Sequence, residues 1–216
     1  MDRRIVWTLV GALILATPLA ARASAGDWSI LGARTLEPGS DVISGSLGWP
    51  DFTMQYTHGV RSGFDVGGRF QLLWGVENRI DAPQFGIAGA VPLRWALPSR
   101  GKIRLLFHVD PGLRLYTLNP IAFGFQMPFG ANLEFPVPQP VSLGLGADFD
   151  ATFFFVGSGA PAFFFGPLIG PYFEYQFDPS LSFGIDMRFG AVIDAGAGGT
   201  DAGFGLRVQM MLAYRL

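Results

Sequence analysis

Three observations predict an all-β chain, an antiparallel up-and-down transmembrane β-barrel of about ten strands. Apolar and polar residues alternate over long stretches. Glycine, proline and phenylalanine are abundant, at 30, 16 and 21 of 216 residues. The chain opens with an export signal. Half of the residues are hydrophobic and only 15% are charged. So much apolar surface calls for an apolar solvent, while Gly and Pro cost roughly 1 and 3 kcal/mol in a helix interior and so argue against helices.

The export signal comes first in the chain. Asp2, Arg3 and Arg4 precede an uncharged run from Ile5 to Leu19, and Ala23-Ser24-Ala25 follows. A basic start, a short apolar run and a small-x-small site read as a secretory signal peptide over 1–25. The run is short of the roughly 20 residues a spanning helix needs. Removing Arg3, Arg4, Arg22 and Asp2 from 15 basic and 17 acidic residues leaves 12 and 16, net −4. That balance gives no reason to expect a nucleic-acid partner. Lys102 is the only lysine, and without cysteine there is neither a disulfide framework nor a thiolate metal site.

Residues 26–40 read as a periplasmic N-terminal segment, with an eleventh strand over 27–36 (DWSILGARTL) as the less favoured reading. From 41 to 216 the barrel follows. Turn signals separate ten strands, near 41–49, 52–60, 63–75, 84–97, 102–118, 121–137, 141–156, 162–177, 181–194 and 202–216. An even number places both termini in the periplasm. The last strand is clearest. Phe204, Leu206, Val208, Met210, Leu212 and Tyr214 form one face, and Arg207, Gln209 and Arg215 stand on the other. Successive side chains on a strand point to opposite faces, so this strand has an oily side and a wet side. Such alternation persists for 12 or more residues in five segments, beyond the 5–6 typical of a soluble sandwich strand.

One segment imitates a transmembrane helix: 151–173 carries no charge. Gly157 to Pro161 forms a turn cluster within it, Pro167 and Pro171 oppose a helix, and two Phe triplets flank the turn. It therefore reads as a hairpin. Trp49, Phe52, Trp74, Trp95, Tyr175 and Tyr214 fall towards strand ends and suit an aromatic girdle.

The opening Ala33 to Ser40 (ARTLEPGS) and the hairpin Tyr56 to Phe70 (YTHGVRSGFDVGGRF) resemble a broad group of small bacterial outer-membrane β-barrel proteins. The last strand is similar to a barrel-assembly signal, with Tyr214 in third-last position and Leu216 where a terminal Phe is usual. The resemblance implies outer-membrane lipid and the barrel-assembly machinery as partners. The group has no single activity to transfer.

Function would reside in the lumen. Parity turns Arg69, His108, Asp110, Asp148, Asp186, Arg188 and Arg207 inward as a candidate constriction, and Arg94, Arg104, Glu134 and Glu174 inward at the periplasmic mouth. A mainly basic wall (Arg69, Arg94, Arg104, Arg114) faces an acidic one (Glu134, Asp148, Asp150, Glu174). Either these charges pair and plug the lumen, or they line a narrow path for polar solutes, with inner glycines such as Gly130, Gly144 and Gly146 leaving room. Barrels of about eight strands are filled by side chains, so the plug is favoured.

An outer-membrane enzyme with a lumen or rim site is a further reading. His108 beside Asp110 would be its base, with Thr57 and Ser142 as inner hydroxyls, but no catalytic residue is assigned. A soluble periplasmic β-protein is the third. No cofactor is implied. Asp194 and Asp201 at the rim fall short of the 6–8 oxygens of a calcium site, so no metal ligands are assigned. Ala195 to Gly199 lacks the Lys and Ser/Thr spacing of a phosphate-binding loop.

Overall fold

The computed structural model describes residues 27–79, 81, 83–98, 102–117, 121–156, 161–196 and 199–216. The export signal expected over 1–25 and parts of the expected connections, at 99–101, 118–120, 157–160 and 197–198, lie outside them. The described residues form one closed antiparallel barrel of ten staves. Three staves are broken in two, giving thirteen strands. They are β1 (Asp41–Trp49), β2 (Asp51–Arg61), β3 (Phe64–Gly75), β4 (Pro83–Ala90), β5 (Leu93–Ala96), β6 (Arg104–Val109) and β7 (Gly112–Tyr116). β8 (Ala122–Gln126), β9 (Phe129–Glu134), β10 (Val141–Val156), β11 (Ala162–Gln176), β12 (Leu181–Gly196) and β13 (Gly199–Arg215) complete the wall.

The breaks depart from the ten unbroken strands the alternation predicts, and proline explains them. Pro92 separates β4 from β5, Pro111 separates β6 from β7, and Pro128 separates β8 from β9. Proline has no N–H to give the ladder. Each carbonyl still accepts from the next stave: Gly67 N–H donates to Pro92 at 2.8 Å, Val91 to Pro111 at 2.9 Å and Asp110 to Pro128 at 2.8 Å. The three lie on neighbouring staves, so they form one seam across part of the wall. Pro167 and Pro171 face outward from β11 without breaking it. The helix-like segment is the β10–β11 hairpin, with Phe153 opposite Phe163.

Closure comes from β1 pairing with β13. The register from Ser44 runs through Gln55, Arg69, Ala90 and Gly112 on one side of the barrel. It continues through Gln126, Thr152, Phe164 and Asp194 to Asp201. Asp201 lies twelve residues from Ala213, the direct partner of Ser44. With a rise of about 3.3 Å and a strand spacing of about 4.8 Å, that stagger tilts the strands by about 40° on a backbone radius of about 10 Å.

Burial is inverted relative to a soluble core. Among the described residues 26 buried side chains are polar or charged and 16 are hydrophobic. Phe204, Met210, Leu212 and Tyr214 on β13 are more than half exposed, while Gly205, Met211 and Ala213 between them are buried. From 204 to 214 the exposed face of this tilted strand rises by about 25 Å, the height of an apolar barrel band. Near the end carrying the termini, Trp95 stacks on Phe64 at 5.3 Å and Tyr175 packs edge-on against Phe177 at 5.1 Å. No helix of the described residues is long and apolar enough to cross a membrane, which says nothing of strands.

Candidate functional site: a charged lumen closed from both ends

The N-terminal segment lies inside the barrel. Residues 27–39 form no strand, yet Trp28, Ser29, Ala33 and Leu36 are at most 2% exposed. A coil in the lumen must satisfy every backbone polar group, and the mouth charges do this. Glu174 accepts from the Ser29 hydroxyl, from Ile30 N–H at 3.3 Å and from Leu31 N–H at 3.1 Å. Glu134 accepts from Ala33 N–H at 2.9 Å and pairs with Arg34 at 3.2 Å. Asp65 accepts from Leu36 N–H at 3.0 Å. Arg94 donates to the carbonyls of Ser29, Gly32 and Arg34 and pairs with Asp65 at 3.2 Å. Arg104, more exposed, reaches Glu134 at 3.1 Å.

Apolar contacts complete the fit. Trp28 and Leu36 pack on Val42, Met211 and Ala213. Those inward apolar positions contradict a uniformly wet lumen face, and the segment covering them is the reason.

At the opposite end the connection after β3 folds into the lumen. Glu77 and Asn78 adopt left-handed backbone, with φ of 49° and 65°, which turns their side chains down into the barrel. Glu77 pairs with Arg114 at 2.6 Å and accepts from Thr152 at 2.8 Å. Asn78 donates to Asp150 at 2.5 Å, and its carbonyl accepts from Leu206 N–H at 2.9 Å. Arg79 clasps Asp81 at 2.8 Å and Asp201 at 3.0 Å. Asp201, the register partner of Asp194, is thus engaged by an arginine. Among the described residues no group of three His, Cys, Asp or Glu is placed to hold a metal.

Between these closures lies a polar cavity of about 160 Å³. All seven candidate constriction residues border it. Asp148 is the hub. His108 Nε2 lies 3.0 Å from it, Arg188 Nε 3.3 Å, and Arg207 makes a close pair with it. Asp186 binds both arginines, with Arg207 Nε at 3.3 Å. Arg69 stands apart, paired with Asp110 at 2.8 Å and donating to Gln55 at 2.8 Å.

Three expectations change at this level. His108 is held by Asp148 rather than by Asp110, whose nearest oxygen is 3.9 Å away. Parity gave His108 and Asp110 one face, but the register Arg94, His108, Gly130, Asp148 sets His108 level with Asp148. Opposed walls do not face one another across open water: Arg207 on β13 reaches over to Asp148 on β10, and other pairs join neighbouring staves or the inserted segments. Inner glycines do not leave room either. A Cβ on Gly146 would lie on the Arg188 guanidinium, and one on Gly130 would meet both Asp148 and His108. These glycines are troughs in which neighbouring side chains lie.

The hydroxyls singled out beside His108 are engaged elsewhere: Thr57 accepts from Gln55 at 2.9 Å and Ser142 accepts from Arg34. Sequence reasoning missed Arg34, Glu77 and Asp51. Parity assigns a face only within a strand, and these residues lie in coil or were assigned to a turn. Comparison with family models, with curated proteins and with solved structures gave no match for this chain.

Proposed function

We propose that this chain is an outer-membrane β-barrel of a diderm bacterium, exported by residues 1–25, that sits in the bilayer as a closed barrel rather than an open pore. The inversion of burial carries this reading. Large apolar side chains are exposed around the wall while Asp65, Glu134, Asp148 and Arg188 are buried. In water such a surface would aggregate; in lipid it is matched. A closed barrel leaves no sheet edge for lipid to meet. Outer-membrane lipid is the primary partner, and β13, ending in Tyr214, would engage the barrel-assembly machinery before it pairs with β1.

Closure of the lumen supports a structural or resting role over steady conduction. The inserted segment fills the terminal end and the Glu77–Asn78 connection fills the other. Planar-bilayer recording tests this directly. The full mature chain is expected to be silent, and a chain lacking residues 27–39 is expected to give ion-conducting steps that change when Arg69 and Arg207 are neutralised. Stable steps from the full chain would overturn the closed reading. Release of the protein from membranes by carbonate washing would overturn the membrane reading.

A further inference from the structure

The middle of the lumen holds polar groups that the two closures do not satisfy. Gly112 pairs with Gln126, and Gln126 with Thr152. Two residues further along, Asp110, Pro128 and Asp150 therefore share one inward-facing row, and Asp110 N–H donates to the Pro128 carbonyl. With strands about 4.8 Å apart, the Cα atoms of Asp110 and Asp150 are about 10 Å apart. Both side chains face the lumen on either side of Pro128. Asp110, Gln126, Pro128 and Asp150 all line the cavity.

The hydrogen bonding of this row is incomplete. Asp110 Oδ1 and Gln126 Nε2 are buried with no hydrogen-bond partner, in residues 5% and 0% exposed. The other oxygen of Asp110 serves Arg69, and Gln126 Oε1 accepts from Arg114. Both assignments are therefore fixed by their neighbours. An unfilled acceptor and an unfilled donor thus belong to two residues that border the same lumen cavity.

Charge is also unbalanced. Arg69, Arg94, Arg114, Arg188 and Arg207 each have an acidic partner. Among the described residues the buried Asp51, Asp150 and Glu174 have no cation within 4.0 Å, and Glu174 is met instead by the Ser29 and Ser182 hydroxyls and two backbone N–H groups. Asp51 is served by three neutral donors, from Thr53, Gln71 and Gln209. Asp150 has Asn78. A buried carboxylate away from water calls for a counter-charge.

We propose that the chamber over Pro128 binds one small organic cation carrying a primary ammonium and a neighbouring oxygen, the chemistry of an amino alcohol. The ammonium donates to Asp110 Oδ1 and to Asp150, and the oxygen accepts from Gln126 Nε2. Arg207 and Arg114 act on Asp150 only through space, and each is already paired, with Asp148 and Asp186 or with Glu77. The lumen cavity that Pro128 borders, about 160 Å³ in all, has room for one molecule of this size. The site lies in the barrel interior, so binding in detergent stands or falls independently of where the barrel resides and of whether it conducts.

The test refolds the full mature chain in detergent with ethanolamine, ethylamine or ethylene glycol, and counts the retained molecules by native mass spectrometry. One saturable ethanolamine per barrel is expected, with ethylamine about tenfold weaker and ethylene glycol not retained. Asp110→Asn and Asp150→Asn should each weaken ethanolamine by about tenfold, and Gln126→Ala should erase its advantage over ethylamine. The comparison of the three probes on the unaltered chain needs no variant to fold. No saturable uptake, or ethylene glycol retained as well as ethanolamine, would overturn the proposal.

Discussion

Asp148 shows how much a single lumen residue carries. It faces His108, Arg188 and Arg207 at once, so Asp148→Ala leaves two guanidinium groups short of a partner in a buried site. A loss of about 3–5 kcal/mol is expected in urea unfolding from detergent micelles. Arg104→Ala should cost less than about 1 kcal/mol in the same assay, because Arg104 is 45% exposed and its pair with Glu134 is screened by water. At the rim, the Arg79 guanidinium holds the Asp81 carboxyl below its ordinary value of 3.8. A lowered carboxyl stabilises the folded form above its ordinary value and loses that effect as pH falls through the lower folded value. Amide protection over 76–81, taken relative to the intrinsic exchange rate at each pH, should therefore be unchanged from pH 7 to about 4 and fall below it, and Asp81→Asn should remove that step. Parity alone turned Arg188, Arg207 and Asp148 inward. It did not reveal that His108 prefers Asp148, because which rows meet depends on register between staves and not on spacing within one.

At the scale of elements, the wall is unequal. Strands β10 to β13 run for 15 to 17 residues, whereas the staves holding Pro92, Pro111 and Pro128 are built from pieces of four to eight. Amides beside the proline seam should exchange with deuterium faster than those at the centre of β12 and β13, read peptide by peptide; equal protection would mean that the seam does not weaken the ladder. The long strands were legible because lipid-facing and lumen-facing residues alternate without interruption. The seam was legible only as three prolines, since their common level emerges once neighbouring staves are aligned. The inserted segment was not legible, because a coil has no period. Its one signal was Trp28, Leu31 and Leu36, apolar residues too irregularly placed for a strand yet in need of cover. Trp28→Ala should cost about 3–5 kcal/mol of the segment's hold on Val42 and Met211. Faster protease cleavage at Arg34 in the folded barrel would report it.

At the scale of the whole molecule, one periodicity organises everything else. Two-residue alternation sets apolar side chains outside and polar ones inside, the stagger of the staves closes the sheet, and the narrow interior is then filled by the chain's own ends and loops. The absence of cysteine makes this directly measurable. Single cysteines placed in turn at 204 to 215 on β13 can carry a spin label in the protein reconstituted in lipid. Collision with oxygen, which concentrates in the bilayer, is expected to be high at even positions and low at odd ones, in phase with the exposed Phe204, Met210, Leu212 and Tyr214. A profile without a two-residue period, or with the odd positions facing lipid, would contradict the inside-out barrel.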